Sequence, residues 1–178
     1  MKIRGPNYLK DRKKIMSEEC VFKCLCCELV NSKTKMNHFS QRPVSLVQKL
    51  RAQGYKGFIY VYNIMVLFLF YCHVKVKHKW TYVSMLSYFE VPENLEEISP
   101  HVAALWKRYL EEDDKFRNDR LKMIARCPTG PWFVRKLIGN VPTIIGHKLP
   151  QYTYRGEGYC EQMIDVTADY FIAAVSFV

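Results

Sequence analysis

The sequence predicts an α+β fold, a single antiparallel sheet covered by two or more helices. Three observations point there. The 12 Tyr and 10 Phe favour a core that contains a sheet over a plain helix bundle. Several apolar, β-branched or aromatic runs have the length of strands. One segment, from Ser99 to Leu110, has a clear helical stripe. At 178 residues the chain fits one domain, and 49% hydrophobic with 25% charged residues is a globular balance that argues against disorder.

Taken in order, Cys20 to Val30 reads as a buried strand and Asn31 to Gln41 as a polar connection. Pro43 to Ala52 reads as a short helix, with Ser40 or a neighbour as cap and Gly54 as its stop. Phe58 to Tyr62 and Trp80 to Glu90 read as strands, with an apolar insert, Met65 to Cys72, between them. Ser99 as cap and Pro100 at the first helical position start a helix. Its stripe is Val102, Leu105, Trp106, Tyr109 and Leu110, of which Leu105 and Trp106 are expected to pack on the sheet. The acids Glu111 to Asp114 oppose the helix dipole, so the helix ends near Glu111. Leu121 to Cys127 alternates as a half-exposed strand with a basic outer face of Arg120, Lys122 and Arg126. Thr143 to Ile145 and Cys160 to Val166 complete the strands, and the apolar run Tyr170 to Val178 implies a truncated chain or a buried end.

Charge is concentrated at the start. Of the net +10, residues 1–56 hold +9, from 13 Lys/Arg against 4 Asp/Glu. Lys10, Arg12, Lys13 and Lys14 fall within five positions. Such a field attracts anionic lipid or an acidic protein partner; the plain alternative is a solvated surface. Nucleic acid is disfavoured, because none of the familiar RNA-binding patterns accompanies the aromatics. An odd number of cysteines, seven, and a first stretch without the apolar core of a secretory signal give the expectation of a cytoplasmic protein, peripheral to membranes. Residues 57–74 carry no Lys, Arg, Asp or Glu, so a single membrane span stands as the rival to a buried strand or hairpin.

No nucleophile setting, phosphate loop or dinucleotide fingerprint is present, and the reading is of a protein that is not an enzyme and takes no cofactor. Cys20, Cys24, Cys26 and Cys27 invite a zinc reading. On a regular strand Cys24 and Cys26 would share one face and Cys27 the other, so buried free thiols are expected instead of a metal site. In Asp113 to Arg120, either acids pair with arginines around a turn at Asn118, or Arg117 and Arg120 grip an anionic head group, joined by Lys122.

Four blocks resemble the C-terminal domain of the Enhanced Disease Resistance 2 family. They are Arg4-Gly5-Pro6-Asn7-Tyr8-Leu9-Lys10-Asp11-Arg12-Lys13-Lys14-Ile15, then Asp113-Asp114-Lys115-Phe116-Arg117-Asn118-Asp119-Arg120-Leu121-Lys122, then Gly130-Pro131-Trp132-Phe133-Val134-Arg135 followed by Gly139, Pro142, Gly146 and Lys148, and Tyr154-Arg155-Gly156 with Tyr159, Glu161, Ile164, Asp165 and Val166. The second is the most specific. The insert near residues 65–76 falls where the family has a short hairpin connection, and the family's domain runs on past the fourth block, so residues 1–178 are expected to be a domain truncated at its C-terminus. The resemblance implies a module that many relatives join to lipid-binding START and pleckstrin-homology domains, and a START-like, helix-grip arrangement is the matching fold expectation. The function it implies is a non-catalytic regulatory module that binds anionic lipid weakly through its basic first half. A protein-interaction scaffold is the alternative.

Overall fold

The structure, a computed structural model, describes residues 2–70, 79–123 and 142–168. Strand β1 (Lys2–Arg4), a short helix α1 (Tyr8–Asp11) and β2 (Lys14–Met16) form an N-terminal hairpin. There follow β3 (Lys23–Ser32), α2 (Leu46–Ala52), β4 (Phe58–Phe70) and β5 (Lys79–Val91). Next come α3 (Leu95–Ile98), α4 (Pro100–Glu111), α5 (Asp114–Asn118), the short strands β6 (Lys122–Met123) and β7 (Thr143–Ile144), and β8 (Gln151–Gly156) with β9 (Tyr159–Asp165).

Five strands make the main sheet, in the order β3-β5-β4-β9-β8. Three of its pairings are antiparallel, but β4 and β9 run parallel, from Ile59 beside Tyr159 to Met65 beside Asp165. The expected single antiparallel sheet, and the helix-grip arrangement with it, is therefore overturned: the sheet is mixed, and β1–β2 and β6–β7 are separate two-stranded ladders. Burial explains the arrangement. Every residue of β9 is buried, while β8 is largely exposed. The β8–β9 hairpin therefore enters with β8 at the edge, and β9 beside β4 in the direction its partner dictates. Parallel pairing suits a strand covered on both faces.

Side-chain alternation along β4 divides two layers. Ile59 and Val61 join Met36, Phe39, Val47, Leu86, Tyr88 and Tyr159 in a core beneath α2. Ser45 caps α2 by accepting from Gln48 N, and Gly54 at φ 81° follows its end, close to the predicted helix. Phe58 and Tyr60 face the other way and meet Trp106 of α4 edge-on, at 5.9 and 5.3 Å between ring centroids. Helices thus cover both faces. Helix α4 starts at Pro100 and ends at Glu111 as its sequence predicts, although Ser99 caps it without a side-chain hydrogen bond. Trp106 and Tyr109 are the stripe residues that reach the sheet, whereas Leu105 stays 48% exposed.

Two other expectations change. The strand predicted as buried over Cys20 to Val30 is the edge strand β3, with no fully buried residue, because it has a neighbour on one side only. Residues 58–70 of the suspected membrane span are strand β4, paired with β5 from Phe58–Val91 to Phe70–Lys79. The insert accordingly lengthens this hairpin as far as Phe70; residues 71–78 lie outside the described residues. Among the described residues no helix is long and apolar enough to cross a membrane. Most of the predicted Leu121 to Cys127 strand and the whole of Tyr170 to Val178 also lie outside the described residues; β6 marks the start of the former.

Candidate functional site

The predicted lipid-binding residues separate into two places. Lys10, Arg12, Lys13 and Lys14 lie on the N-terminal hairpin, all exposed. The hairpin is held by its own backbone: Gly5 N donates to Lys13 O at 3.1 Å, and Arg12, in the left-handed region at φ 58°, closes α1 by donating to Tyr8 O. The Tyr8 ring has the guanidinium carbons of Arg4 and Arg12 at 4.8 and 5.8 Å from its centroid. No residue from 2 to 16 is buried, and Leu9 is 80% exposed, Met16 65% and Ile15 47%. Cationic and bare apolar side chains therefore share one small projection. Sequence reasoning found the charges but missed Leu9, Ile15 and Met16; their apolar character was visible, their exposure was not.

Arg117, Arg120 and Lys122 lie on the α4–α5 side of the sheet, in three different settings. Arg117 is buried; its guanidinium donates to the carbonyl oxygens of Tyr109 and Glu112 and, at 3.1 Å, to Thr153 Oγ1 in β8. Asp114 lies 3.4 Å from it, and Asp113 caps α5 by accepting from Phe116 N. Asp114 and Arg117 thus hold the turn between α4 and α5, and Arg117 fastens it to the sheet. Arg120 is exposed, lies over the Phe116 ring at 3.6 Å from its centroid and donates to Phe116 O. Lys122 is exposed on β6.

Arg120 borders a cavity of about 230 Å³ between α4 and the sheet. Among the described residues its wall comes from Phe22, Tyr60, Val102, Leu105, Trp106 and Tyr109, with Leu121 and Arg120. The Phe22 ring packs edge-on against Trp106 at 5.1 Å. Tyr109 is anchored by donating to Gln162 Oε1 at 2.6 Å, and burial pushes its hydroxyl pKa well up, so it stays neutral.

The cysteine geometry departs from expectation. Sγ of Cys24 and Cys27 lie 3.8 Å apart, and both residues are exposed. A bulge between Cys24 and Cys26 adds one residue to β3, so Cys24 aligns with Phe89 and Cys27 with Ser87, on one face. Their shared hydrogen bond raises the Cys24 pKa. Among the described residues Cys160 is the buried thiol, its pKa pushed up to about 11 by that burial. Among the described residues no three His, Cys, Asp or Glu side chains cluster as metal ligands.

Glu161 is the polar centre that sequence reasoning did not single out as a site. It is fully buried and accepts from Ser40 N at 2.7 Å, Phe39 N at 3.2 Å and Asn63 Nδ2 at 2.9 Å. These bonds tie the segment before α2 to the sheet, which is what a buried carboxylate needs to be tolerated.

The family model for the Enhanced Disease Resistance 2 protein, C-terminal, matches residues 1–177. An Arabidopsis thaliana relative described as Protein Enhanced Disease Resistance 2-like is 28% identical over 165 residues, which is 93% of this chain and 20% of the relative. The chain therefore spans about a fifth of that relative's length. No solved structure matches. With the match running from the basic hairpin to the last strand, the chain belongs to the Enhanced Disease Resistance 2 C-terminal family.

Proposed function

We propose that this domain is a non-catalytic regulatory module that associates weakly with anionic membrane surfaces through its N-terminal hairpin. Membership of the family supports a regulatory or signalling role, and the hairpin supports the membrane. The observation that carries the reading is the combination of four exposed cationic side chains, Lys10, Arg12, Lys13 and Lys14, with the bare Leu9 beside them. Each cation near an anionic leaflet contributes about 1 kcal/mol, so four supply about 4 kcal/mol. That corresponds to an affinity of about 1 mM, enough to assist recruitment and too little to anchor the protein alone. Burying Leu9 at the interface adds about 1.5 kcal/mol. Charge brings the hairpin to the surface, and the apolar side chains lengthen its stay there.

Flotation with neutral phosphatidylcholine vesicles and with vesicles containing phosphatidylserine, at low and physiological salt, tests this. Binding should require the anionic lipid and weaken as the Debye length shrinks to about 8 Å at physiological salt. Reversing Lys13 and Lys14 to Glu should abolish it, and Leu9→Ala should weaken it. Binding that ignores lipid charge and salt, or no binding even at low salt, would sink the proposal. In the second case, capture by an acidic protein surface becomes the better account of the same charges.

A further inference from the structure

We propose that the cavity between α4 and the sheet binds a small monocarboxylate with an apolar body. The proposal stands apart from the membrane reading, because it uses none of the hairpin. Shape and charge carry it together. The wall is aromatic and aliphatic, supplied by Phe22, Tyr60, Val102, Leu105, Trp106 and Tyr109. Tyr109 is buried and forms the floor, whereas Leu105 is 48% exposed and Arg120 is exposed, which places the mouth at these two side chains. At about 230 Å³ the space lies below the roughly 300–1,000 Å³ of pockets that hold drug-sized ligands. It suits one short acyl chain or one or two fused rings, not a two-chain phospholipid.

Charge decides the head group. Arg120 is the one charged side chain in the wall among the described residues. Three nearby acids have partners of their own, Glu112 with Arg108 at 2.6 Å, Asp114 with Arg117 at 3.4 Å and Asp119 with His147 at 2.7 Å, although the Asp119 charge is also felt by Arg120. Asp113 caps α5. Among the described residues the cavity therefore has a cation at its rim and no carboxylate in its wall. Arg carries five N–H donors in a planar fork that suits a carboxylate, and the hydrogen bond to Phe116 O uses Nη1. The Phe116 ring beneath the guanidinium and the bond to Phe116 O both orient that fork before a ligand arrives.

Calorimetric titration of the full chain tests the assignment, with decanoate and 2-naphthoate as the two sources of this chemistry and decanol and decylamine as controls. One carboxylate should bind saturably, about tenfold or more tighter than decanol, with decylamine weaker still. Preference for decanoate assigns an acyl chain, and preference for 2-naphthoate assigns a ring system. Leu105→Trp and Val102→Phe fill the mouth and the wall; each should cut binding about tenfold or more while the thermal melt is retained. Arg120→Gln should bring decanoate down to the level of decanol. Neither carboxylate binding at millimolar concentration, equal binding of decanoate and decanol, or binding unchanged by both filling variants would overturn the proposal.

Discussion

At the scale of single residues, the tyrosines set how the protein responds to alkali. Tyr55 donates its hydroxyl hydrogen bond to Glu90 Oε1. Burial, that bond and the Glu90 charge push its pKa up to about 12. Burial alone pushes Tyr62 up to about 12. In the unfolded chain a tyrosine titrates near pH 10. A folded pKa above the unfolded one means that the native state holds the proton more tightly. The stability this provides is complete below about pH 10 and is lost as pH rises toward about 12. Lys35 has the same sign, raised chiefly by its hydrogen bond to the buried Asp165. Urea midpoints should therefore be flat from about pH 8 to 9.5 and fall steeply from about pH 10 to 12, and Tyr62→Phe should shrink the fall. A midpoint that holds or rises across that interval would contradict the assignment.

At the scale of elements, Arg117 connects α4, α5 and β8 through the carbonyls of Tyr109 and Glu112 and through Thr153 Oγ1. Arg117→Gln removes the charged donors and leaves these buried acceptors poorly satisfied, a loss of about 2–4 kcal/mol. The Asp114 pair adds little, since that carboxylate is 67% exposed. Arg120→Gln, on an exposed side chain, should cost less than about 1 kcal/mol. Chemical denaturation of the two variants checks the contrast, and equal losses would refute it. The same elements show where sequence is readable. Helices α2 and α4 carry their own signals, Gly54 as the stop of the one and Pro100 with the Trp106 stripe of the other, so sequence places both within a few residues, although the cap of α2 is Ser45 and not the expected Ser40, which sits in the turn before it. The cap of α5 is not legible in the sequence, because Asp113 reads equally well as the frayed end of α4. The bulge in β3 depends on pairing with β5, a partner far along the chain, and no local pattern marks it. Strand β8 carries no clear local signal, because Tyr152 to Arg155 is polar and partly exposed, and its place is fixed by β9. The parallel β4–β9 contact joins residues about a hundred positions apart, and periodicity gives strand identity without direction. For the candidate site, the charges of the hairpin were legible, whereas the cavity exists only once Phe22, Tyr60 and Trp106 meet from three distant segments.

At the scale of the whole molecule, stability and surface attachment reside in different parts. One buried cluster lies between α2 and the sheet, the other gathers Val66, Val83 and Ile164 of the sheet with Ile145, Leu149 and Val166, and neither takes a residue from 2–16. That stretch nevertheless holds Lys2, Arg4, Lys10, Arg12, Lys13 and Lys14 against a single acid, Asp11, and so carries more than half of the +9 of residues 1–56. Two cations farther along have partners in the fold: Arg51 donates to the carbonyl oxygens of Tyr55, Gly57 and Gly158, and Lys35 pairs with Asp165 at 2.7 Å. Gly158, at φ 68°, is where a Cβ would collide with the Arg51 guanidinium, so that arginine belongs to the β8–β9 turn and is not available to a membrane. Deleting residues 1–16 should therefore leave stability nearly unchanged, within about 0.5 kcal/mol, because surface segments remote from the core contribute little. The same deletion should remove most of the salt-dependent binding to anionic vesicles, while decanoate binding in the cavity persists. Thermal melts, flotation and titration on the one variant read the three quantities separately. A melt lowered by more than about 5 °C would show the hairpin to be part of the folding unit. Undiminished vesicle binding would move the attachment surface to the remaining cations of residues 17–56.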